Sequence, residues 1–234
     1  MRRNDPAQYD ELADEWWNPR GPFAMLHWLA ASRVEHIPPA TSPGAVLVDL
    51  ACGGGLMAPH VRRLGYRHVG VDTNLAGLGT AQGHGVVPVQ GSVFAVPLAD
   101  GCADVVVAGE ILEHVADDVA VLAECARLLR PGGALVLDAI ADTWLASLIA
   151  VGLFERIPWG APPGIHDPKL FVDRRRLRAA ADDLGLELRL VGLRLSFRDL
   201  ASWLRGRRSD VRYKPFVLTG ILFAGYGRKR PEPD

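Results

Sequence analysis

The sequence has few cysteines, few lysines and no long apolar run. Its 234 residues contain three cysteines (Cys52, Cys102 and Cys125) and no Cys-x-x-Cys pair. This pattern excludes a zinc knuckle and a disulfide framework, and it favours a reducing compartment. The first residues lack a signal peptide's apolar core, and the apolar stretch 144–154 is far shorter than the roughly 20 residues of a membrane span. We therefore expect a cytoplasmic protein, with peripheral contact to the inner face of a membrane left open.

The net charge of −1 conceals an uneven distribution. Residues 1–140 carry 9 basic and 16 acidic side chains, whereas residues 141–234 carry 17 basic and 11 acidic ones. The basic half can meet an anionic surface or substrate, or it can be a solvated face of arginine-rich helices. No nucleic-acid-reading motif accompanies the charge, so we expect no nucleic-acid partner.

Short apolar runs alternate with amphipathic stretches from residue 45 onward. Strands buried on both faces, with helices between them, predict an α/β fold whose parallel sheet is covered by helices on both sides. The predicted strands are 45–50, 68–71, 86–89, 103–108, 134–139, 186–195 and 216–226. The predicted helices are 57–64, 75–83, 117–129, about 173–184 and 199–205, preceded by helices in the first 36 residues.

Residues 141–172 interrupt this alternation. An apolar segment is followed there by closely spaced prolines and glycines, and a long insertion in a compact domain is typical of a lid or a binding loop. We predict one domain over residues 1–234, made of an N-terminal helical cap (1–43), a cofactor-binding core (44–140), a substrate lid (141–172) and the C-terminal half of the sheet (173–228).

A glycine motif follows the first predicted strand. Gly53 and Gly55 allow a sharp turn and let a ligand lie against the backbone. Together with Ala58, these glycines also match the relaxed Gly-x-Gly-x-x-Gly/Ala pattern of dinucleotide-binding proteins. An NAD-linked oxidoreductase is therefore an alternative. Asp49, at the strand end, would repel a pyrophosphate but attract an ammonium group. A cationic, phosphate-free nucleoside therefore fits better than NAD.

Two further positions at strand ends suit a nucleoside. Asp72 closes the second predicted strand and can accept hydrogen bonds from both hydroxyls of a ribose, although Asp72 or Asn74 can instead cap the next helix. Ser92 follows the third strand, where an adenine ring would lie, and its hydroxyl is a weaker acceptor than a carboxylate.

Glu110, Glu113 and His114 follow the fourth predicted strand. Their oxygen and nitrogen atoms suit Mg²⁺ or another divalent cation, which would lower the pKa of a phenol or catechol. Alternatively His114 is a general base. In a third interpretation, Glu113 and His114 only order the loop beneath the cofactor.

These motifs resemble two nested protein families. The glycine motif, Asp72, the Glu-His pair and residues 130–133 (Arg-Pro-Gly-Gly) are similar to class I S-adenosylmethionine-dependent methyltransferases. The match extends to the O-methyltransferases of ubiquinone biosynthesis, which act on polyprenyl-dihydroxybenzoate and demethylubiquinol. It rests on residues 16–23 with their Trp-Trp pair, on residues 110–115, on Gly-x-His at 164–166 and on Phe171.

The resemblance implies a Rossmann-like, mostly parallel sheet whose last strand is antiparallel. It implies S-adenosylmethionine as the cofactor. Arg33 would bind the carboxylate of the cofactor, and Asp72 would bind its ribose. The loop at Gly53 and the backbone of Gly109 would also contact the cofactor. Glu110, Glu113 and His114 match a set of metal ligands proposed in that family.

The expected reaction is methylation of a phenol or catechol hydroxyl on a prenylated quinol precursor or an aromatic natural product. His114 or His166 would assist deprotonation. Methylation of carbon in a lipophilic substrate is the nearest alternative. The segment 144–159 would cover a greasy substrate or rest on a bilayer, unless it is an ordinary core helix.

Overall fold

The computed structural model describes residues 3–231, and its centre is one eight-stranded sheet. The strand order is β3-β2-β1-β4-β5-β8-β6-β7. Strands β1 to β5 are parallel, β8 is antiparallel to β5 and β6, and β7 is antiparallel to β6. The strands are β1 (Val46–Leu50), β2 (Arg67–Asp72), β3 (Val87–Gln90), β4 (Ala103–Gly109), β5 (Leu129–Ile140), β6 (Leu186–Leu195), β7 (Tyr213–Phe216) and β8 (Leu222–Lys229). The predicted fold class is confirmed.

Eight α-helices within residues 3–231 surround the sheet. They are α1 (Ala7–Glu11), α2 (Ala24–Arg33), α3 (Ala58–Leu64), α4 (Leu75–Gly83), α5 (Asp118–Leu128), α6 (Trp144–Ala150), α7 (Arg174–Asp183) and α8 (Phe197–Leu204). Alternate strand residues are buried against opposite layers. Leu135 and Leu137 face α5 and α7, whereas Ala134 and Val136 face α3 and the N-terminal segment. Burial on both faces explains the nearly continuous apolar runs of β1, β4 and β5.

One predicted strand is wrong. The segment 216–226 is not a single strand but the end of β7, a loop and the start of β8. The loop is anchored because the Thr143 hydroxyl donates to the Gly220 carbonyl oxygen at 2.6 Å. The apolar residues Val217 and Leu218 of this loop are exposed. The prediction of one strand was wrong because it took their hydrophobicity as a sign of burial.

The carboxyl ends of β1, β2, β4 and β5 meet at one edge of the sheet. The chain order reverses between β1 and β4, and ligands of open α/β sheets bind at such a reversal. The N-terminal segment reaches this edge and contacts residues 160–172, since the Asn4 backbone N–H donates to the Gly164 carbonyl oxygen at 2.9 Å.

The structure also bears on membrane-spanning helices and on the cysteines. Within residues 3–231, no helix has the length and apolar character needed to cross a membrane. The three cysteines are free thiols.

Candidate active site

The loop after β1 is held by two tryptophans of the N-terminal segment. Gly53 has a left-handed backbone with φ of 50°, and a Cβ atom there or at Gly54 would collide with the indole ring of Trp16. The Trp17 indole N–H donates to the Gly54 carbonyl oxygen at 2.9 Å. The predicted glycine loop therefore exists, and the Trp-Trp pair packs directly on it.

The rest of the loop is also conformationally restricted. Gly55 has φ of 75°, and a Cβ atom there would contact Ala81 and Val86, so this glycine lets the loop pack on α4. Ala51 adopts φ of 55°, a region that costs a non-glycine residue about 1–2 kcal/mol. Ala51 thus carries backbone strain at the start of the loop.

Asp72 ties the glycine loop to the start of α4. Its Oδ2 accepts from the Gly53 backbone N–H and its Oδ1 from the Asn74 backbone N–H, both at 2.8 Å. Asn74 itself caps α4 by accepting from Gly77 N–H at 2.6 Å, so the capping role belongs to Asn74. Burial raises the pKa of Asp72 despite these hydrogen bonds. Each carboxylate oxygen retains a lone pair that can accept a ribose hydroxyl.

Asp49 has a protein partner that was not foreseen from the sequence. The carboxylate is buried, and its Oδ2 lies 3.2 Å from Nε2 of His68. His68 is on the neighbouring strand β2 and faces the same side of the sheet. Asp49 is therefore paired within the sheet, and any contact with a cofactor would use its other oxygen.

Arg33 reaches the sheet edge and binds a buried carboxylate. Its Nε and Nη2 donate to the two oxygens of Asp138 on β5 at 2.7 and 2.8 Å. The guanidinium lies over Gly109, where a Cβ atom would overlap it. The Glu110 backbone N–H also donates to Asp138 Oδ1 at 3.0 Å. Asp138 therefore organises the site around β4 and β5.

Gly109→Ala is expected to destabilise the protein by about 1–3 kcal/mol, because the added methyl group overlaps the Arg33 guanidinium and forces it off Asp138. Chemical denaturation measures the change. Gly79→Ala is the matched control, since nothing lies within 4 Å of its added Cβ atom in α4. That variant is expected to gain about 0.5–1 kcal/mol from helix propensity. Equal stability of both variants would contradict this packing argument.

Glu113 is buried and Glu110 is half-buried, and one carboxyl oxygen of each is shielded from solvent. Glu110 Oε1 and Glu113 Oε2 have no hydrogen-bond partner within residues 3–231, whereas Glu113 Oε1 accepts from the Ile140 N–H at 3.3 Å. Burial, and then the charges of Glu113 and Asp138, raise the pKa of Glu110. Burial raises the pKa of Glu113 to about 8. A cation beside these oxygens would restore their ionised form.

The predicted metal set is not assembled around a common point. Across the described part of the chain, no group of three or more His, Cys, Asp or Glu side chains is placed to hold an ion. The His114 ring faces Asn4 rather than completing a set with Glu110 and Glu113.

His114 is held in one tautomer by Asn4. Its Nδ1–H donates to the Asn4 side-chain oxygen at 2.7 Å, while the Asn4 amide donates to the His114 carbonyl oxygen at 2.8 Å. This leaves Nε2 with a lone pair. Burial, and then the neighbouring His166, lower the pKa of His114 to about 3. The ring is therefore neutral at physiological pH, and its Nε2 is less basic than that of a free imidazole.

The two predicted catalytic histidines are neighbours. The rings of His114 and His166 lie 5.5 Å apart between centroids with an angle of 24°. Glu155 Oε1 accepts from the His166 backbone N–H at 3.1 Å and from its Nδ1 at 3.3 Å. Burial raises the pKa of Glu155, but hydrogen bonds from His166, Gly164 and Arg3 lower it to about 2 overall. Glu155 thus fixes the His166 ring.

Ser92 is occupied within its own turn. Its Oγ accepts from the Phe94 backbone N–H at 3.2 Å. The hydroxyl keeps its O–H donor and a second lone pair, so the contact with adenine stays a prediction.

Comparison with known proteins agrees with this geometry. Residues 48–137 match the family described as "Methyltransferase domain". The ubiquinone biosynthesis O-methyltransferase of Parvibaculum lavamentivorans is 32% identical over 228 residues, covering 88% of this chain and 89% of the relative. The chain belongs to this O-methyltransferase family. The enzyme of the same name from Cupriavidus pinatubonensis is 35% identical over 195 residues, covering 79% and 78% of the two chains.

Solved structures show the same fold for this family member. An S-adenosylmethionine-dependent methyltransferase of Thermotoga maritima superposes with a TM-score of 0.65 at 17% identity, covering 95% of this chain and 98% of the other. One from Archaeoglobus fulgidus gives 0.62 at 15% identity, with 96% and 100% covered. The predicted family, enzyme class and S-adenosylmethionine cofactor are confirmed, and membership removes the oxidoreductase alternative.

Three residues that organise the site of this methyltransferase were missed from its sequence. They are Asp138, Asn4 and Glu155. A lone carboxylate within the apolar run of β5 was a readable signal for Asp138, because buried charges need a partner. Asn4 and Glu155 gave no such signal, because each stands beside at least one charged residue in the sequence, as exposed side chains do.

Proposed function

We propose that this methyltransferase transfers a methyl group to a hydroxyl on an oxygenated aromatic ring, either a prenylated quinol precursor or an aromatic natural product. The observation that supports this is His114, a neutral imidazole at the edge of the sheet whose Nε2 keeps its lone pair because Nδ1 carries the proton. The names of the similar proteins support the quinol class.

The residues at this edge fit the cofactor chemically. The unpaired oxygens of Glu110 and Glu113 suit a ligand that carries ammonium and sulfonium charges. Two of the five N–H donors of Arg33 bind Asp138, so others remain for the cofactor carboxylate. We assign cofactor contacts to Arg33, Asp49, Gly53, Gly55, Asp72, Ser92 and Gly109.

When bound, S-adenosylmethionine supplies an electrophilic methyl group. Transfer of this methyl group to the acceptor oxygen leaves S-adenosylhomocysteine as the second product. His114 takes the acceptor's hydroxyl proton at Nε2 and becomes positively charged. Asn4 holds the opposite nitrogen, and Glu155 holds His166 beside the ring. Aligning the two reactants can contribute about 7–11 kcal/mol.

A divalent cation is a second way to activate the hydroxyl. Glu110, Glu113 and His114 are the residues that would hold Mg²⁺ or a related ion, and the unpaired carboxylate oxygens are suitable hard ligands. His114 would have to leave Asn4 or bind through Nε2. A bound ion would lower the pKa of the acceptor hydroxyl, which removes the need for a strong base.

Cofactor affinity is expected to rise with pH up to about 8. Because burial raises the pKa of Glu113 to about 8, this carboxyl group is mostly protonated at pH 6. A cationic ligand favours the ionised form, so its binding releases a proton and strengthens up to tenfold per pH unit below pH 8. Calorimetric titration with S-adenosylmethionine between pH 6 and 9 measures this slope.

Glu113→Gln is the control for that titration, since it removes the titrating group and keeps the side-chain volume. It is expected to bind with a much shallower pH dependence, which leaves only the contribution of the ligand's own amino group. Identical slopes for the two proteins would show that Glu113 does not meet the cofactor's charge.

The proposed reaction is tested by a labelled-methyl transfer screen over catechols, prenylated quinols and aromatic natural products, with Mg²⁺ and with a chelator. Product analysis separates methylation of oxygen from methylation of carbon. Binding of S-adenosylhomocysteine without transfer to any aromatic hydroxyl would contradict the proposal. A rate that is unchanged by the chelator would favour His114 over a metal.

We also propose that residues 141–172 form a substrate lid and that segment 144–159 rests on a bilayer. Trp144 is 77% exposed and Leu148 56% exposed, although α6 also buries Ala146 and Ala150. The exposed side chains give an amphipathic helix a face that can enter a membrane interface. A membrane-bound enzyme would have direct access to a lipophilic acceptor.

Basic groups lie next to that face. Thr143, which caps α6, binds the loop between β7 and β8, and the Thr219 hydroxyl of the same loop accepts from Arg174 at 2.7 Å. Arg174, Arg175 and Arg178 line a shallow cavity there of about 270 Å³. Such cations favour an anionic lipid surface.

Vesicle co-sedimentation tests the membrane contact. Trp144→Ser with Leu148→Ser is expected to weaken binding to phosphatidylglycerol vesicles, whereas Leu75→Ser, which changes an exposed leucine on α4, is not. Equal binding of both variants would contradict contact through α6.

A further inference from the structure

Three buried hydrogen-bond donors lie beside the lid without a hydrogen bond in the part of the chain that the structure describes. Trp28 on α2, Trp203 on α8 and Tyr213 on β7 are at most 5% exposed. Neither indole Nε1 nor the Tyr213 hydroxyl makes a hydrogen bond with any group in residues 3–231. A buried donor left unpaired costs about 1–3 kcal/mol. Three of them in one cluster require an explanation that the fold does not supply.

The rings of this cluster are packed at close range. Trp28 and Trp203 lie 5.1 Å apart with an interplanar angle of 81°. Trp159 of the lid covers them, at 6.0 Å from Trp28 and 5.6 Å from Trp203. Trp159 is only partly buried, so the lid side of the cluster faces outward. Edge-to-face contacts of this kind also suit an additional aromatic ring.

The cluster adjoins the active site. Tyr213 pairs with Leu195, the last residue of β6, at the edge where the parallel strands end. Burial, and then the charges of Glu110 and Asp138, raise the pKa of Tyr213. Trp28 is on the same helix as Arg33. An acceptor here would therefore be next to the residues assigned to the cofactor.

We propose that Trp28, Trp203 and Tyr213 bind the acceptor, donating hydrogen bonds to the non-reacting oxygens of a polyoxygenated aromatic ring that packs among the indoles. This assignment rests on the proposed function, which identifies the reaction and therefore the acceptor. An indole N–H can only donate, so the ligand must bring lone pairs. A catechol or quinol ring satisfies this requirement, whereas neither indole offers an acceptor to an amine cation.

Tyr213→Phe tests the assignment, because it removes the hydroxyl and keeps the ring. Binding of catechol to the S-adenosylhomocysteine complex is followed by quenching of tryptophan fluorescence, and needs no turnover. We expect the variant to bind catechol about three- to tenfold more weakly, which is the value of one neutral hydrogen bond. Its affinity for S-adenosylhomocysteine stays unchanged. Its stability is unchanged or higher, since an unpaired buried hydroxyl has been removed.

Phenol and Tyr66→Phe provide the controls. Phenol lacks the second oxygen, so wild type and Tyr213→Phe are expected to bind it equally. Tyr66 donates to the Pro38 carbonyl oxygen at 2.8 Å far from the cluster, so Tyr66→Phe loses stability and keeps catechol affinity. Trp203→Phe, which removes one indole N–H, is expected to weaken catechol binding as well.

The outcomes separate the two proposals. Wild-type affinity for catechol in both Tyr213→Phe and Trp203→Phe, or no catechol binding by the wild type, would overturn the acceptor site. Tight catechol binding that depends on Tyr213, without any methyl transfer, would instead overturn the proposed reaction and leave this site standing.

Discussion

Replacing Asp138 with alanine is expected to lower the free energy of unfolding by about 3–5 kcal/mol. Asp138 and Arg33 are both buried and share two hydrogen bonds of 2.7 and 2.8 Å. Removing one partner leaves the other charge desolvated and unpaired, which is the costly case for a buried ion pair. For a chain of this size the melting temperature is expected to fall on the order of 10 °C.

Two comparisons make that prediction specific. Arg130→Ala breaks the pair with Asp104, in which the arginine is half exposed, and is expected to cost less than about 1 kcal/mol. The double variant Arg33→Met with Asp138→Leu removes both charges and is expected to regain most of the lost stability while binding S-adenosylhomocysteine poorly. A double variant as unstable as Asp138→Ala would show that the pair is not the cause.

His114→Ala is expected to reduce kcat by about 100-fold or more at pH 7, since a general base contributes roughly 10²–10⁴-fold. Because burial lowers the pKa of His114 to about 3, the wild-type base is unprotonated at every pH above about 4. The acid limb of the wild-type profile should therefore lie below pH 5. Stopped assays of catechol methylation across pH 4–9 measure both effects.

Asn4→Asp sharpens that test. A carboxylate against Nδ1 would stabilise the imidazolium, so the pKa of His114 rises and the acid limb moves to higher pH. The matched control for His114→Ala is His36→Ala, since His36 stacks on Tyr226 near the opposite edge of the sheet. Normal S-adenosylhomocysteine binding and wild-type turnover by His114→Ala would exclude the histidine as base.

Local periodicity was enough to predict most of the fold. The helix at 75–83 and the strand at 186–195 have the predicted bounds, because each pattern follows from residues within one element. The division of 216–226 could not be read in this way. An exposed apolar loop and a buried strand can have the same composition. Only the tertiary contacts of the segment distinguish the two.

The active site was predicted in part for the same reason. Gly53 and Asp72 were each predicted from a motif at the end of a strand, and the two residues are joined by a hydrogen bond in the structure. Asp49, by contrast, is paired with His68, and Arg33 with Asp138. Those pairs depend on strand register and on the approach of α2, which no local pattern encodes.

The contact between Asn4 and His114 has a consequence for the order of assembly. The two residues are 110 positions apart, and Arg3 bonds Glu155 across 152 positions. Contacts of such high sequence separation close large loops and form slowly. During synthesis the first residues must wait until the chain has been made as far as residue 166. Refolded protein should thus regain its helical circular dichroism before its turnover, since His114, the proposed base, is oriented last.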